Sequence, residues 1–390
     1  MPPTYPPSAA STLPPRLTFR EKVNRFWLRV TEGLELNQLW GQFERDARSS
    51  YRLYAKDLES TQAENAGPGR KFFHVAQQFF WAVLEKLTPA RRVLLLIALI
   101  LLIFNPEFSW HSQGDLHIVS LDFRLYGGLL LFLLLILEVA DRVVMKRDLQ
   151  IAREIQTWLL PSEPPTIPGI AIAFQTRPAN TVAGDYYDVF ERPGHTPEEN
   201  RFLVAVADVA GKSIPAAMLM ATFQASLRTL SVTQSSLPEL IGNINRYACT
   251  NSQDGLRFTT AFLSELAPST RTLTYINAGH NAPMLCRKSG VLERLDAGGL
   301  PIGISVDAVY QTGSVALASG DWLVIFTDGV VEAMNTRGEE FGEPRLLATI
   351  ALGANGTPAE MMRRLMTDLD GFVGNTPQHD DVTCLLLKVV

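Results

Sequence analysis

Five short apolar runs crowd the last half of the chain, at 202–207 (FLVAVA), 260–265 (TAFLSE), 272–276 (TLTYI), 322–326 (WLVIF) and 382–390 (VTCLLLKVV). Only six residues separate the second from the third. Parallel neighbours need a crossover of roughly a dozen residues, so strands this close in sequence must pair antiparallel. Helical periodicity falls elsewhere, at 215–230, 237–248 and 358–372. Strands in succession with helices set apart predict an α+β sandwich flanked by helices, not a doubly wound sheet. The stretch 163–390 reads as one domain without internal repeats.

The 390-residue chain has room for two or three units of roughly 150 residues. Its net charge of −5 conceals a basic head (+5 over 1–92) and an acidic tail (−8 over 163–390). Neither the total nor the tail suits a nucleic-acid binder. Three scattered cysteines, Cys249, Cys286 and Cys384, exclude a disulfide scaffold or a Cys-rich zinc module and point to a reducing compartment.

Ahead of the sandwich, residues 1–15 carry six prolines and no charge and are expected to be a disordered leader, with no signal-peptide pattern. Residues 16–90 read as a helical cytoplasmic region of unassigned role, amphipathic over 17–60 and rich in aromatics over 72–87. Two apolar blocks follow, twelve residues at 93–104 and thirteen uncharged ones at 125–137. Both fall short of the ~20 residues that span a bilayer. Yet they are apolar all round, and Arg91 and Arg92 before them and Arg142, Lys146 and Arg147 after them follow the positive-inside pattern. Trp110 and Tyr126 stand where interfacial aromatics would. The expectation is a two-helix transmembrane hairpin over 91–142, in a multi-pass protein of the cell inner membrane. A linker helix over 143–162, with one apolar stripe through Ile151, Ile155 and Trp158, would lead to a cytoplasmic catalytic domain. Pro161, Pro164 and Pro165 end it.

Four acidic clusters in the sandwich share a context: Gly184-Asp185, Asp208 in VAVADVAGK, Asp328-Gly329 in LVIFTDGV, and Asp380-Asp381 in HDDVTCLLL. A carboxylate at a strand end, next to small residues, points out of the sheet where a hydrated ion can approach. Hard divalent cations such as magnesium and manganese take such oxygen ligands. Two of them together activate water for attack on a phosphoryl group. One Asp-Gly alone is an ordinary hairpin turn; four in one domain point to a metal site.

The same residues resemble the metal-dependent PPM-type (protein phosphatase 2C-like) serine/threonine phosphatases, in the bacterial branch of SpoIIE and RsbU. The likeness runs in order through IAREIQTWLLP (151–161), AGDYYD (183–188), ADVAGKSIPAAMLMA (207–221), FTTAF (258–262), INAGHNAP (276–283), GGLPIGI (298–304), GDWLVIFTDGVVEAMN (320–335), EEFGEPRL (339–346) and DDVT (380–383). It implies that Asp208 bridges two metals, with the Val209 carbonyl as a further ligand. Asp328 and Asp380 would complete the first metal, with Asp381 as the alternative to Asp380, and Asp185 would hold the second. Gly184, Gly211 and Gly329 would let backbone approach the ions. Ala183 and Ser213 stand where the family commonly has glycine. No arginine matches the phosphate-gripping arginine of eukaryotic relatives, Arg177 being the nearest candidate.

By the same resemblance the cofactors are two manganese or magnesium ions, and metal-activated water attacks phosphorus without a phosphoenzyme. The substrate would be a phosphorylated anti-sigma-factor antagonist of the STAS type, in a homodimeric, membrane-anchored protein of a partner-switching pathway. His280 reads as structural, His379 as an exposed loop histidine, Tyr186 and Tyr187 as packing, and Cys286 and Cys384 as buried thiols. Two rivals stand beside this reading: an inactive, membrane-tethered scaffold, and a two-metal nuclease or phosphodiesterase.

Overall fold

Alternation at period two lets one strand serve two cores, and the sandwich is built on it. A computed structural model describes residues 81, 84, 87–104, 122–192, 200–233, 236–251 and 257–390. In it, Leu203, Ala205 and Ala207 of one strand face one apolar cluster, while Phe202, Val204 and Val206 face another. Successive side chains of a strand point to opposite faces. A strand covered on both sides therefore shows no polar alternation and reads as a continuous apolar run.

The elements run in the order α1 (Pro89–Phe104), α2 (Phe123–Leu159), β1 (Ile170–Arg177), β2 (Tyr186–Arg192), β3 (Arg201–Val209), α3 (Ser213–Thr233), α4 (Leu237–Asn251), β4 (Thr259–Ala267), β5 (Thr272–Ala278), β6 (Met284–Cys286), β7 (Leu292–Arg294), β8 (Gly298–Gly299), β9 (Gly313–Ala316), β10 (Trp322–Phe326), α5 (Asp328–Val331), α6 (Gly342–Leu352), α7 (Pro358–Val373) and β11 (Val382–Val389). One sheet has the order β1-β11-β10-β6-β7 and the other β2-β3-β4-β5-β8, with β9 pairing β5. Apart from the short β5–β8 pair, the ladders are antiparallel.

Between the sheets, Val204, Val206, Phe262 and Leu273 meet Leu285, Leu323, Ile325, Leu385 and Leu387. Outside the second sheet, Met220, Phe223 and Leu227 of α3 and Leu240, Ile241 and Ile244 of α4 cover Leu203 and Leu263. Outside the first, Leu346 and Ile350 of α6 and Met361, Leu365 and Leu369 of α7 cover Val324, Phe326 and Leu386. The expected α+β sandwich flanked by helices is what the chain forms, in four layers.

The expected transmembrane hairpin has no such support. Among the described residues no helix is long and apolar enough to cross a membrane. The 16 residues of α1 rise about 24 Å, against about 30 Å of hydrocarbon. The 37 residues of α2 are long enough, but Glu138, Asp141 and Arg142 end its uncharged run after thirteen residues. The second apolar block and the linker that was expected to continue it lie on this one helix. The chain divides into compact units at Met1–Glu138 and Val139–Val390. Within the first, Gly127 lies against the Ala98 carbonyl, and Arg91 reaches Glu138 at 3.3 Å. The readings for 1–15 and 17–60, and most of 72–87 with Glu107 and Trp110, lie outside the described residues.

A buried charge ties α3 to its sheet. Asp188, fully buried on β2, receives Arg228 Nε at 2.7 Å and Nη2 at 2.8 Å, and the Tyr186 hydroxyl at 2.6 Å. The same guanidinium lies 4.0 Å from the Phe190 ring centroid. Removing one partner of such a pair leaves an uncompensated buried carboxylate. Arg228→Ala is therefore expected to lower unfolding stability by about 2–3 kcal/mol, the guanidinium's partial exposure reducing the full effect. Urea denaturation measures it; a loss under about 0.5 kcal/mol, the scale of a neutral surface change, refutes the assignment.

Candidate active site

Antiparallel pairing decides where the four acidic clusters go. Tyr186 pairs with Ala207, so the start of β2 and the end of β3 share an edge. Phe326 pairs with Cys384, so the end of β10 and the start of β11 do likewise in the facing sheet. Asp185 precedes β2, Asp208 nearly ends β3, Asp328 follows β10, and Asp380 and Asp381 precede β11. Carboxylates far apart in sequence are thus neighbours in space.

Their mutual repulsion is visible in their acidities. Burial, followed by the charges of Asp328, Asp380 and Asp381, pushes Asp208 up to about 7. Asp185 is raised well above the usual carboxylate range by burial and then by Asp208 and Asp381. Asp328 is raised by burial and Asp380. Charged groups lose solvation when buried, and like charges compound the cost.

The rest of the edge positions these groups. The Thr327 hydroxyl lies 2.9 Å from Asp185 Oδ2 and receives the Thr383 N–H at 3.0 Å. Asp381 spends both oxygens on backbone: Oδ1 accepts the Ala179 N–H at 2.7 Å and Oδ2 the Gly184 N–H at 2.6 Å. Asp380 turns instead to Lys212, whose ammonium sits 2.9 Å from Oδ2. The adjacent pair therefore divides into a loop anchor and a carboxylate facing the cluster. Thr260 Oγ1 lies 3.4 Å from the Asp208 carbonyl oxygen and 3.1 Å from His280 Nδ1.

Two glycines make close approaches that a side chain would crowd at the first and block at the second. A Cβ on Gly184 would come within 3.1 Å of the Val209 carbonyl oxygen, and one on Gly329 within 2.0 Å of the Asp381 carbonyl oxygen. Ser213, where the family commonly has glycine, takes the left-handed region at φ 67°. This costs about 1–2 kcal/mol for a residue with a Cβ.

Sequence reasoning missed Lys212, Thr327 and Thr260. Lys212 carried a legible signal, a base in a glycine turn four residues after Asp208. The threonines carried none, since their partners lie on other strands. His280 is buried and held near pKa 4 by desolvation, which suits a structural imidazole. His379 is exposed. Tyr186 and Tyr187 are packed, and Arg177 pairs with Asp370 at 2.5 Å. Burial pushes the Cys384 thiol to about 12; Cys286 is only half-buried.

The donor set is chemically right for hard divalent cations: carboxylates short of positive charge, beside a backbone carbonyl left open by Gly184. Among the described residues, no group of three or more His, Cys, Asp or Glu side chains forms a ready-made coordination shell. The fit rests on donor chemistry and charge.

Comparison with known proteins follows the same outline. Residues 198–390 match the family model described as Stage II sporulation protein E (SpoIIE). Protein IcfG of Synechocystis sp. is 27% identical over 274 residues, 64% of this chain and 42% of IcfG. The phosphoserine phosphatase RsbU of Bacillus subtilis is 29% identical over 245 residues, 63% of this chain and 70% of RsbU. The chain thus spans less than half the length of the first of these relatives. Among solved structures, the SiaA-PP2C domain of Pseudomonas aeruginosa superposes with a TM-score of 0.57 at 21% identity, over 64% of this chain and 98% of that domain. The sandwich thus has the fold of a PP2C domain, matches the SpoIIE model over residues 198–390 and is similar in sequence to RsbU.

The acidities make a stability prediction for the metal-free protein. Asp208 rises from 3.8 to about 7 on folding, so across that window the folded state binds more protons than the unfolded one. Its contribution to stability is then highest at low pH and declines as pH rises through the window. Neutral burial of His280 works in the opposite sense below about 6.5. The comparison that isolates Asp208 is wild type against Asp208→Asn in chelator. The variant is expected to melt higher, by a margin that widens from about pH 5 to about 7.5. A variant that melts lower, or a margin independent of pH, would count against the repulsion.

Proposed function

We propose that the chain is a metal-dependent phosphoserine/phosphothreonine protein phosphatase. The observation that carries this reading is the gathering of Asp185, Asp208, Asp328 and Asp380 at one edge of two sheets, with Asp208 pushed to about 7. Asp208 with the Val209 carbonyl, Asp328 and Asp380 would hold one divalent ion, and Asp185 with Asp208 a second, manganese or magnesium. Bound there, such ions supply positive charge that acidifies water and neutralises phosphoryl oxygens. Thr327 fixes the orientation of Asp185. Lys212 adds a cation at the rim, where an arriving phosphoryl group finds positive charge among carboxylates. In the hydrolysis, a water oxygen bonds to phosphorus as the bond to the serine oxygen breaks, and that oxygen takes a proton. Cys384, held neutral in the core, offers no nucleophile for a phosphoenzyme route.

The substrate in this reading is a phosphorylated STAS-type anti-sigma-factor antagonist, and the output is partner switching. Its support is the likeness to RsbU, named a phosphoserine phosphatase. The assay uses the purified full chain, manganese and a phosphoserine protein. Wild type should release phosphate only with metal, and Asp208→Asn should lose more than about 100-fold of that rate. No release from any phosphoprotein would sink the enzyme and leave the scaffold reading.

The reading extends to attachment at the cytoplasmic face of the cell inner membrane and to a homodimer. Exposed apolar side chains on α1 (Ile100, Ile103, Phe104) and α2 (Leu129, Phe132, Leu135) support the first. Ile151, Ile155 and Trp158, exposed along one stretch of α2, support the second. One preparation tests both. Wild type should sediment with membranes and run as a dimer after detergent extraction, while Ile151→Asp/Ile155→Asp runs as a monomer. A soluble wild type refutes attachment, and a dimeric variant refutes the seam.

A further inference from the structure

The end of α2 carries one side chain unlike its neighbours. Ile151, Ile155 and Trp158 are 44%, 48% and 79% exposed, whereas Gln156 is 7% exposed. Among the described residues it is the only buried polar side chain on that helix. Both ends of its amide go to the same place. Oε1 accepts the Ala183 N–H at 2.9 Å, and Nε2 donates to the Ala183 carbonyl oxygen at 2.7 Å. A neighbouring β-strand offers a residue this same pair of bonds. An amide is the side chain that carries donor and acceptor side by side in fixed geometry.

Ala183 begins Ala-Gly-Asp, and residues 178–185 lie before β2, without a strand partner of their own. Such backbone must find its hydrogen bonds elsewhere. The segment is held at two points: Asp381 takes the N–H groups of Ala179 and Gly184, and Gln156 takes both groups of Ala183. The first clamp comes from the acidic edge itself. The second comes from the helix ahead of the domain. Around it, Leu160 packs against two of the domain's apolar clusters, and the Tyr187 hydroxyl reaches the Pro161 carbonyl at 3.4 Å.

We propose that Gln156 is a positioning residue, whose clamp on Ala183 sets the place of Asp185 and makes that place depend on the state of α2. The link from clamp to catalysis rests on the phosphatase reading above; the clamp itself does not. A shift or rotation at the end of α2 breaks both bonds together, because one rigid amide makes them. The loop then loses one of its two anchors while the cores stay packed. Asp185 loses its preset position, and a metal ion must order the loop before it can be held.

Gln156→Met removes both hydrogen bonds and keeps the length and bulk of the side chain. Gln156→Asn, too short to reach Ala183, is the second variant, and Thr157→Ala, exposed on the next position, is the control. The first readout is amide hydrogen exchange of the full chain in chelator. Exchange across 178–186 should rise about tenfold in both Gln156 variants, the scale of two net hydrogen bonds, with α7 and β11 unchanged. The second readout is phosphate release against manganese concentration. Half-saturating manganese should rise about tenfold, while the rate at saturating manganese falls much less.

Unchanged exchange across 178–186, or exchange raised equally throughout the domain, overturns the clamp. Faster loop exchange with unchanged half-saturation overturns the link to Asp185. A wild type that releases no phosphate under any condition fails the phosphatase reading, and the exchange measurement still decides the clamp.

Discussion

Burial of every central strand on both faces is the constraint from which the rest of this domain follows. A strand pressed between a second sheet and a helical layer has no face that tolerates a charge, since a charge taken out of water must be paired or neutralised. Polar chemistry is pushed to strand ends, and antiparallel pairing then decides which ends meet. The end of β3 meets the start of β2, and the end of β10 meets the start of β11. Four acidic clusters separated by up to 195 positions, from Asp185 to Asp380, collect at one edge without any local device to bring them there. Asp188 shows what the constraint demands of an exception: a carboxylate buried within the sheet is held by a bidentate Arg228 and a tyrosine hydroxyl.

The edge is under electrostatic tension, and its surroundings sustain it. Asp185 is raised by desolvation and by Asp208, and Asp208 by desolvation and by Asp328, Asp380 and Asp381, so a fold optimised for stability alone would not place them together. The threonine and backbone bonds that fix Asp185 and Asp381 hold the loops against that repulsion, at the expense of conformational freedom. Ser213 adds backbone strain next to the same site. Strain and like-charge crowding in one place are the pattern of a site shaped for binding something positively charged. In the proposed phosphatase that partner is a pair of divalent cations.

The long helix α2 changes the picture drawn from hydropathy. Apolar blocks of twelve and thirteen residues, bracketed by arginines, had the look of paired membrane spans. Among the described residues neither helix is long and apolar enough to cross a membrane, because hydrophobic thickness is counted along the axis and Glu138, Asp141 and Arg142 end the second run. What the helix does offer is a buried end. Gln156 reaches into the domain and binds the backbone just ahead of Asp185, which gives any change in the helix a physical route to the acidic edge.

Much of the fold and of the site was legible in the chain. Short apolar runs pointed to β3, β4, β5, β10 and β11; period-3.6 runs pointed to α3, α4 and α7. Short strand spacings excluded a parallel sheet, and aspartates at the ends of apolar runs marked the edge. Helix α6 went unread because eleven residues with a proline near the start leave little periodicity. Strand β1, IAIAFQTR, was missed although it alternates, since it lies beyond a proline cluster that read as linker. The sequence by itself thus determined which residues are buried and which must lie at strand ends, because hydrophobic periodicity is a local property. Tertiary structure alone decided that Asp381 anchors a loop while Asp380 faces Lys212, and that Gln156 points inward from an exposed helix. Those roles depend on groups some 25 to 200 positions away, brought into hydrogen-bond range by sheet pairing and packing, and no local pattern encodes them.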